Sequence, residues 1–306
     1  MTAAAPLTLP RLLQDFPALA ESLRGIGRAA ATDAPVLILG EPGSGRSTVA
    51  RALHGASPRA QGPLIEVDPG AIPTTLFESE LFGYRAGAFT GAERAGEGRV
   101  ARAEGGTLVL DHVEELPLSV QPKLLRLVAE RRYAPLGGPE VAADLRFVAI
   151  GSEDLPQRVA RETFRPDLFY RLEVLAFRVP PLRERREDLP RVIDHLLADL
   201  GERFGYRDPA LAPRARAWML EHPWPGNLRQ LRNTLERGLI LSDGEPVDPP
   251  PPDELLEARP RPLVEVEKEQ IRKALAYTRG HQGRAADLLG ISRKALWEKR
   301  RRYGIP

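Results

Sequence analysis

Four short and mainly apolar runs, Val36–Leu39, Leu64–Val67, Thr107–Leu110 and Leu145–Ile150, punctuate the first half of the chain without regular alternation, their polar members being Glu66, Thr107 and Arg146. Continuous runs of this length predict strands buried on both faces, as in a parallel sheet covered by helices. Ahead of them, Leu12, Leu13, Phe16, Leu19, Leu23 and Ile26 recur at helical spacing and predict one helix from Leu12 to Ala30. Ser47–His54 predicts another, straight after the first strand. Beyond Pro180–Pro181 the pattern changes. Leu189–Phe204, Pro213–Glu221 and Asn227–Ser242 carry helical periodicity with no strand between them, so a separate helical subdomain is expected. Pro246–Pro262, with prolines in succession from Pro249 to Pro252, predicts an extended linker. The remaining residues, from Leu263, predict two or three helices: Leu263–Thr278, Gln282–Leu288 and Ser292–Tyr303. The fold class that follows is α/β with a parallel sheet, then a small all-α domain.

Composition narrows this picture. Hydrophobic residues make up 42% of the 306 positions, enough for a sizeable core spread over two or three domains of about 100–200 residues each. The absence of cysteine removes disulfides, thiolate metal sites and cysteine nucleophiles, and suits a reducing cytoplasm. No apolar run approaches the roughly 20 residues needed to cross a bilayer, and Met1–Pro10 lacks the order of a secretory signal. A cytoplasmic protein with no membrane partner is expected. Net charge is +2, but residues 263–306 hold eleven Lys/Arg against five Asp/Glu, a net of +6, which leaves −4 for everything before them. A basic terminal segment points to an anionic partner such as DNA; a solvated helix face is the alternative.

Gly40, Glu41, Pro42, Gly43, Ser44, Gly45, Arg46 and Ser47 follow the first predicted strand and open the next helix, the context a phosphate-binding loop requires. Glycines let backbone N–H groups turn toward phosphate oxygens, and the helix offers its positive end. These residues and Thr48 form the expected ATP cradle, with Ser47 placed to ligate Mg2+. An ordinary glycine turn is the alternative. The motif normally has Lys where Arg46 stands; Arg keeps the charge but meets phosphate in a different geometry. Asp111 ends the third predicted strand, where a carboxylate beside the loop can hold the same Mg2+. Hydrolysis also needs a group that orients or deprotonates water, usually an acid just after that Asp. His112 occupies the position, with different reach and charge. Glu114 and Glu115 would need a shift of loop register to substitute.

Gly87, Ala88, Phe89, Thr90, Gly91 and Ala92 spell GAFTGA, a segment with glycine near both ends and one aromatic, suited to a mobile tip that presents Phe89 and Thr90 to a partner. It resembles the loop by which AAA+ activators of sigma-54 RNA polymerase, the bacterial enhancer-binding proteins, touch the sigma factor. The resemblance runs from about Ala20 to Pro306. It includes Phe164–Leu172, which looks like the segment that lends arginine fingers to the neighbouring subunit's nucleotide, with Arg165 and Arg171 at those positions. Trp224–Arg229 is similar to the segment whose last residue, Arg229, senses the γ-phosphate from the lid. Pro180–Arg185 also resembles a family signature.

The resemblance implies an AAA+ P-loop three-layer α/β domain over residues 1–181, a helical lid over 182–245, a proline-rich linker over 246–262 and a Fis-type helix-turn-helix over 263–306. It implies a homo-oligomeric ring, such as a hexamer, that binds ATP and Mg2+ and works on the sigma-54 holoenzyme from upstream DNA. In the helix-turn-helix, Gly290 supplies the turn, Ile291 plugs the core and Ser292 caps the next helix. Ser292, Arg293 and Lys294 are the expected base-edge contacts, and Lys299, Arg300, Arg301 and Arg302 the phosphate contacts. A helical hairpin that binds protein is the alternative.

Departures from the family cluster around catalysis: Arg46 for Lys, His112 for Glu, Asp68 for Asn and Ser152 near the usual sensor Asn. They leave two functions in competition, an ATP-driven activator and a nucleotide-responsive scaffold or antagonist that binds DNA and sigma-54 without hydrolysis. If His112 is a loss, His112→Glu is expected to raise turnover. A third reading, an unrelated P-loop phosphotransferase with a helical tail, leaves GAFTGA unexplained. The stretch before Val36 is too short for a receiver or ligand-sensing domain, so control is expected from outside this sequence.

Overall fold

The computed structural model describes residues 8–242, 246–251, 263–278 and 280–305. The chain divides into two units, Met1–Pro249 and Pro250–Pro306. Residues 252–262 of the expected linker lie outside the described residues.

In the first unit, strands β1 (Val36–Gly40), β2 (Leu64–Val67), β3 (Thr107–Leu110), β6 (Arg146–Gly151) and β7 (Leu175–Val179) form one sheet in the order β2-β3-β6-β1-β7. Every pairing is parallel, with Val36 opposite both Val148 and Leu175, and Thr107 opposite both Leu64 and Arg146. A separate two-residue hairpin joins β4 (Arg132–Tyr133) to β5 (Val141–Ala142). The four mainly apolar runs are the three inner strands and the β2 edge, where Glu66 is exposed rather than buried as the run predicted. Strand β7 carries no such run, because as an edge strand it buries Phe177 and Val179 while exposing Ala176 and Arg178 between them.

The single helix expected over Leu12–Ala30 is three: α1 (Leu9–Asp15), α2 (Pro17–Ser22) and α3 (Ile26–Ala30). Pro17 has no N–H to continue α1, and Gly25 takes a left-handed turn at φ 92°. The apolar spacing survives because all three pieces bury one stripe. Then come α4 (Arg46–Gly55), α5 (Thr74–Phe82), α6 (Arg99–Arg102), α7 (Gln121–Glu130), α8 (Leu155–Ala160) and α9 (Pro166–Leu172). The lid helices are α10 (Leu189–Phe204), α11 (Pro213–Glu221) and α12 (Asn227–Leu241).

Alternate strand residues face two cores, which makes three layers. Val36, Ile38, Val148 and Ile150 pack with α1–α4 and with lid residues such as Val192, Trp224 and Leu235. Leu37, Leu108, Leu110 and Ala149 face the other way, toward α5 and α7–α9. Arg146 sits inside this sheet fully buried and donates to the Ala29 and Ala30 carbonyls, satisfying the open end of α3. Burial holds its pKa below the ordinary arginine value.

In the second unit, α13 (Leu263–Tyr277), α14 (Gln282–Leu288) and α15 (Arg293–Tyr303) enclose Ile271, Ala274, Ala285, Ala286 and Leu296. Among the described residues no helix is long and apolar enough to cross a membrane.

Candidate nucleotide site and partner-facing surfaces

Parallel strands deliver their C-terminal ends to one edge of the sheet. The ends of β1, β2, β3 and β6 therefore bring the 40–47 loop, Asp68, Asp111 with His112, and Ser152 together. Ser47 Oγ donates to Asp111 Oδ2 at 3.0 Å. A hydroxyl and a carboxylate held in contact are hard oxygen donors that fit Mg2+. Gly43 (φ 75°) is required by shape as well as by backbone: a Cβ there would stand 2.7 Å from the Gly226 carbonyl oxygen.

Arg46, at the phosphate-lysine position, is directed elsewhere. It is only 5% exposed, and its Nη1 donates to the Gly40 carbonyl at 2.9 Å and the Gly151 carbonyl at 2.6 Å. The guanidinium thus ties the end of β1 to the end of β6, a reach that suits its long planar fork. The same peptide group is held from its other side, because Ser152 N–H donates to Glu114 Oε2 at 3.2 Å. Glu114 is buried and occupied in this way, while the Ser152 hydroxyl donates to Asp154.

The lid is stitched to the loop. Asn227, fully buried, accepts from Leu182 N–H at 2.8 Å and donates to Glu41 Oε2 at 3.1 Å and the Pro42 carbonyl at 3.2 Å. Leu228 N–H adds a bond to the Gly43 carbonyl at 2.9 Å. Arg183 grips Glu41 with both Nη atoms, at 2.8 and 2.5 Å, and this pairing lowers the carboxyl pKa to about 2. Arg185 is buried and donates to the Ser44 carbonyl at 2.6 Å; burial lowers its pKa to about 10. Asp188 accepts the Ala18 and Leu19 N–H groups at 3.1 and 3.0 Å, anchoring α2 beside the same lid. Between α1–α2, the loop and the lid lies a cavity of about 240 Å³ lined by Phe16, Ser44, Gly45, Thr48, Arg185 and Leu228, among others. Ser44 Oγ and Arg185 Nε, both buried, have no hydrogen-bond partner. Orphaned polar atoms in the wall of a cavity beside a glycine loop fit a polar ligand such as a nucleotide. Arg229 is exposed, with its backbone N and Cβ packed against Gly43. Asn227 and Arg185 lie within Trp224–Arg229 and Pro180–Arg185, and nothing in the sequence beyond those segments marks either of them.

His112 takes a left-handed backbone (φ 53°, ψ 51°), fixed by its N–H donating to Asp111 Oδ1 at 2.9 Å and its carbonyl accepting from Glu115 N–H. Its Nδ1 stands 3.3 Å from Asp68 Oδ1 and 3.7 Å from Asp111 Oδ1.

The expected finger residues are exposed, Arg165 as the N-cap of α9 and Arg171 in its last turn. Arg165 pairs with Asp167 at 2.7 Å, and Arg171 donates to the Ala129 carbonyl at 3.0 Å. Neither is bonded to the 40–47 loop of its own chain. The GAFTGA segment closes as a small loop through Gly87 N–H to the Ala92 carbonyl at 2.8 Å, with Gly87 and Gly91 at φ 80° and 97°. Phe89 remains 42% exposed, its ring 5.0 Å from that of Tyr84. Ala88 rests on Gly137 of the β4–β5 hairpin, Thr90 is exposed and Ala92 is buried.

In the second unit, Ser292 Oγ accepts Ala295 N–H at 3.1 Å as the cap of α15, Gly290 turns at φ 65°, and Ile291 is partly buried against the core. Leu296 faces inward and Trp297 is 53% exposed. Lys294 and Arg302 are exposed, Arg301 lies over the Trp297 ring, and Arg293 lies against Gly283. Arg300 is half-buried, and Lys299 is engaged by Glu267 of α13, which also accepts from the Tyr303 hydroxyl.

Three family descriptions match the chain in succession: the Sigma-54 interaction domain over residues 12–178, the AAA+ ATPase lid domain over 183–261, and the Fis family of bacterial regulatory proteins over 262–303. The transcriptional regulatory protein ZraR of Salmonella typhimurium is 40% identical over 298 residues, covering 94% of this chain and 68% of ZraR. The DNA-binding transcriptional regulator NtrC of the same organism is 38% identical over 333 residues, covering 96% of this chain and 70% of NtrC. Among solved structures, NtrX of Brucella abortus in complex with ATP matches with a TM-score of 0.70 and 32% identity, covering 100% of this chain and 70% of that one.

Proposed function

The chain belongs to the sigma-54-dependent transcriptional activators, with a nucleotide-binding AAA+ domain and a Fis-type DNA-binding domain, and from that premise we propose that it is an ATP-driven ring. In this reading ATP and Mg2+ bind at residues 40–47 of one subunit, and Arg165 and Arg171 of the next subunit complete the site. Phe89 and Thr90 engage the sigma-54 holoenzyme while Lys294 and the α15 basic residues hold upstream DNA. The Ser47–Asp111 contact is the observation that carries it, since it sets two oxygen donors side by side at the mouth of the loop.

Bound ATP supplies the phosphoryl group and the charge that Mg2+ offsets. Everything else is work for side chains of the protein. Ser47 and Asp111 hold the metal, the loop amides face the phosphates, and Asn227 and Glu41 make the lid respond to the loop. A guanidinium from a neighbouring subunit stabilises charge that develops on the transferring group, an effect of about 10³–10⁵ in rate. The exposure of Arg165 and Arg171 at and in α9 and their lack of any bond to their own loop support a role across a subunit boundary.

The test is steady-state ATPase at concentrations that favour assembly, with Arg171→Ala as the variant. Turnover that is lost in the variant while ATP still binds is the expected result. A second reading, nucleotide-responsive binding without hydrolysis, is favoured by the commitment of Arg46 to the Gly40 and Gly151 carbonyls. ATP binding with no turnover in the unaltered chain selects it. Failure to retain sigma-54 in a pull-down, with Phe89→Ala no different, sinks both.

A further inference from the structure

Helix α15 carries six Lys/Arg and one acid, Glu298. Its buried residue is Leu296, 1% exposed. At about 100° per residue, Lys294 and Glu298 lie opposite Leu296, at the centre of the outward face, with Arg301 beside them and Trp297 and Arg302 on the two flanks. Burial agrees, since these five are exposed while Ala295, Lys299, Arg300 and Tyr303 are partly buried. Most polar groups of the helix have local partners. Arg301 lies over the Trp297 ring at 5.6 Å and Arg302 over the Tyr303 ring at 5.9 Å, Arg293 leans back over Gly283, and Ser292 Oγ is taken by Ala295 N–H. Of the three residues expected at base edges, that leaves Lys294 alone without a partner among the described residues. Glu298 has none either, although Lys294 and Arg302 stand four positions to either side, the spacing at which helical ion pairs form.

A free carboxylate in the middle of a DNA-holding face repels phosphates and weakens binding to every sequence. Phosphates and deoxyribose offer it no hydrogen-bond donor. In the major groove the donors are the amino groups of cytosine, N4, and adenine, N6. Adenine N6 lies between two acceptors, its own N7 and thymine O4, which repel a carboxylate, whereas cytosine N4 has guanine O6 on one side only. Cytosine is therefore the base that offsets Glu298. Trp297 brings a 53% exposed indole to the same face, and the apolar feature of the groove is the thymine methyl group. We infer that Glu298 and Trp297 are sequence-reading residues of α15, Glu298 accepting from cytosine N4 and Trp297 packing on the methyl of a neighbouring thymine. The inference rests on the DNA-holding role given to α15 above and adds what that helix selects. Glu298 lowers binding to any duplex that lacks the cytosine, so its contribution is selectivity rather than affinity.

The test is selection of binding sites from a random-sequence duplex pool by the full chain, then titration of single duplexes with the unaltered protein, Glu298→Ala, Glu298→Gln and Trp297→Ala. All four should share one thermal midpoint, because the altered side chains are exposed. The unaltered chain is expected to enrich a site with a fixed cytosine. Glu298→Ala should lose about tenfold in discrimination at that position alone while binding an unrelated duplex more tightly, and Glu298→Gln should move the preference to adenine, whose N6 and N7 a glutamine matches. Replacing the neighbouring thymine with deoxyuridine removes one methyl group; it should weaken the unaltered chain and leave Trp297→Ala indifferent. If Glu298→Ala enriches the same site, or loses every duplex alike, the cytosine contact is overturned, and a deoxyuridine effect that survives Trp297→Ala overturns the methyl contact. An unaltered chain that holds duplex but enriches no site overturns the inference alone. One that holds no duplex at low salt overturns the DNA-holding role of α15 as well.

Discussion

The strand-end mouth of the sheet and the surface that carries Phe89, Thr90, Arg165 and Arg171 are built on opposite terms. At the mouth, polar groups are consumed by one another: Ser47 by Asp111, Arg46 by two carbonyls, Glu114 by Ser152 N–H, and Asn227 by three partners from two segments. On the outer surface the corresponding side chains are exposed and their contacts are few: Arg165 pairs with Asp167 two residues on, and Arg171 reaches a single carbonyl, that of Ala129. Pre-organisation is valuable where a small ligand must be bound in a fixed geometry, and is wasted where a second macromolecule will supply the partner. The mouth should therefore fail by unfolding or loosening when altered, and the outer surface by losing function with the fold intact.

Asn227→Ala is the strongest way to break that contrast. It leaves Leu182 N–H and the Pro42 carbonyl short of a partner in a buried seam. The cost should be about 2–4 kcal/mol. Urea unfolding should show that loss, and ATP affinity should fall at least tenfold; a variant of unchanged stability would mean that the lid is not held by this residue. Arg171→Ala and Phe89→Ala, by contrast, should unfold within about 0.5 kcal/mol of the unaltered chain, as exposed side chains do.

Glu41 gives a smaller effect with a sign fixed by pH. Its folded pKa of about 2 lies below the ordinary 4.5, so the contact with Arg183 and Asn227 stabilises fully above about pH 4.5 and is lost as pH falls toward 2. Glu41→Gln should lower the thermal midpoint at pH 7 by a few degrees at most, since the pair is partly open to solvent. The gap to the unaltered chain should close on acidification to pH 2–3. A gap that persists there would show that shape, not charge, joins the lid to the loop.

How far the sequence could be read follows the same division. Mainly apolar runs announced four of the five sheet strands, even with Glu66 exposed in the β2 edge and Arg146 buried in β6, and the half-exposed β7 was not legible. Helical spacing located the stripe from Leu12 to Ile26 but not its breaks, because side-chain period is blind to the backbone limits of Pro17 and Gly25. Ser47 and Asp111 could be named from their place after apolar runs. The engagement of Arg46 could not, since its second acceptor, Gly151, lies 105 positions away and meets it only through the order of the sheet.

The smallest effects belong to the second unit, where the basic residues of α15 are alike in sequence and unlike in setting. Arg302 is exposed, whereas Lys299 is already matched by Glu267. Each phosphate contact releases counterions, so removing one should flatten the slope of log affinity against log salt by about 0.9. Arg302→Ala should produce that change in full while weakening binding to all sequences alike. Lys299→Ala should produce less than half of it, because the charge it removes is one that Glu267 has already offset. Equal slopes for the two variants would mean that DNA draws Lys299 away from Glu267, and Glu267→Gln should then bind DNA more tightly than the unaltered chain; if it does not, Lys299 makes no phosphate contact and the slope change must come through displaced neighbours on the same helix.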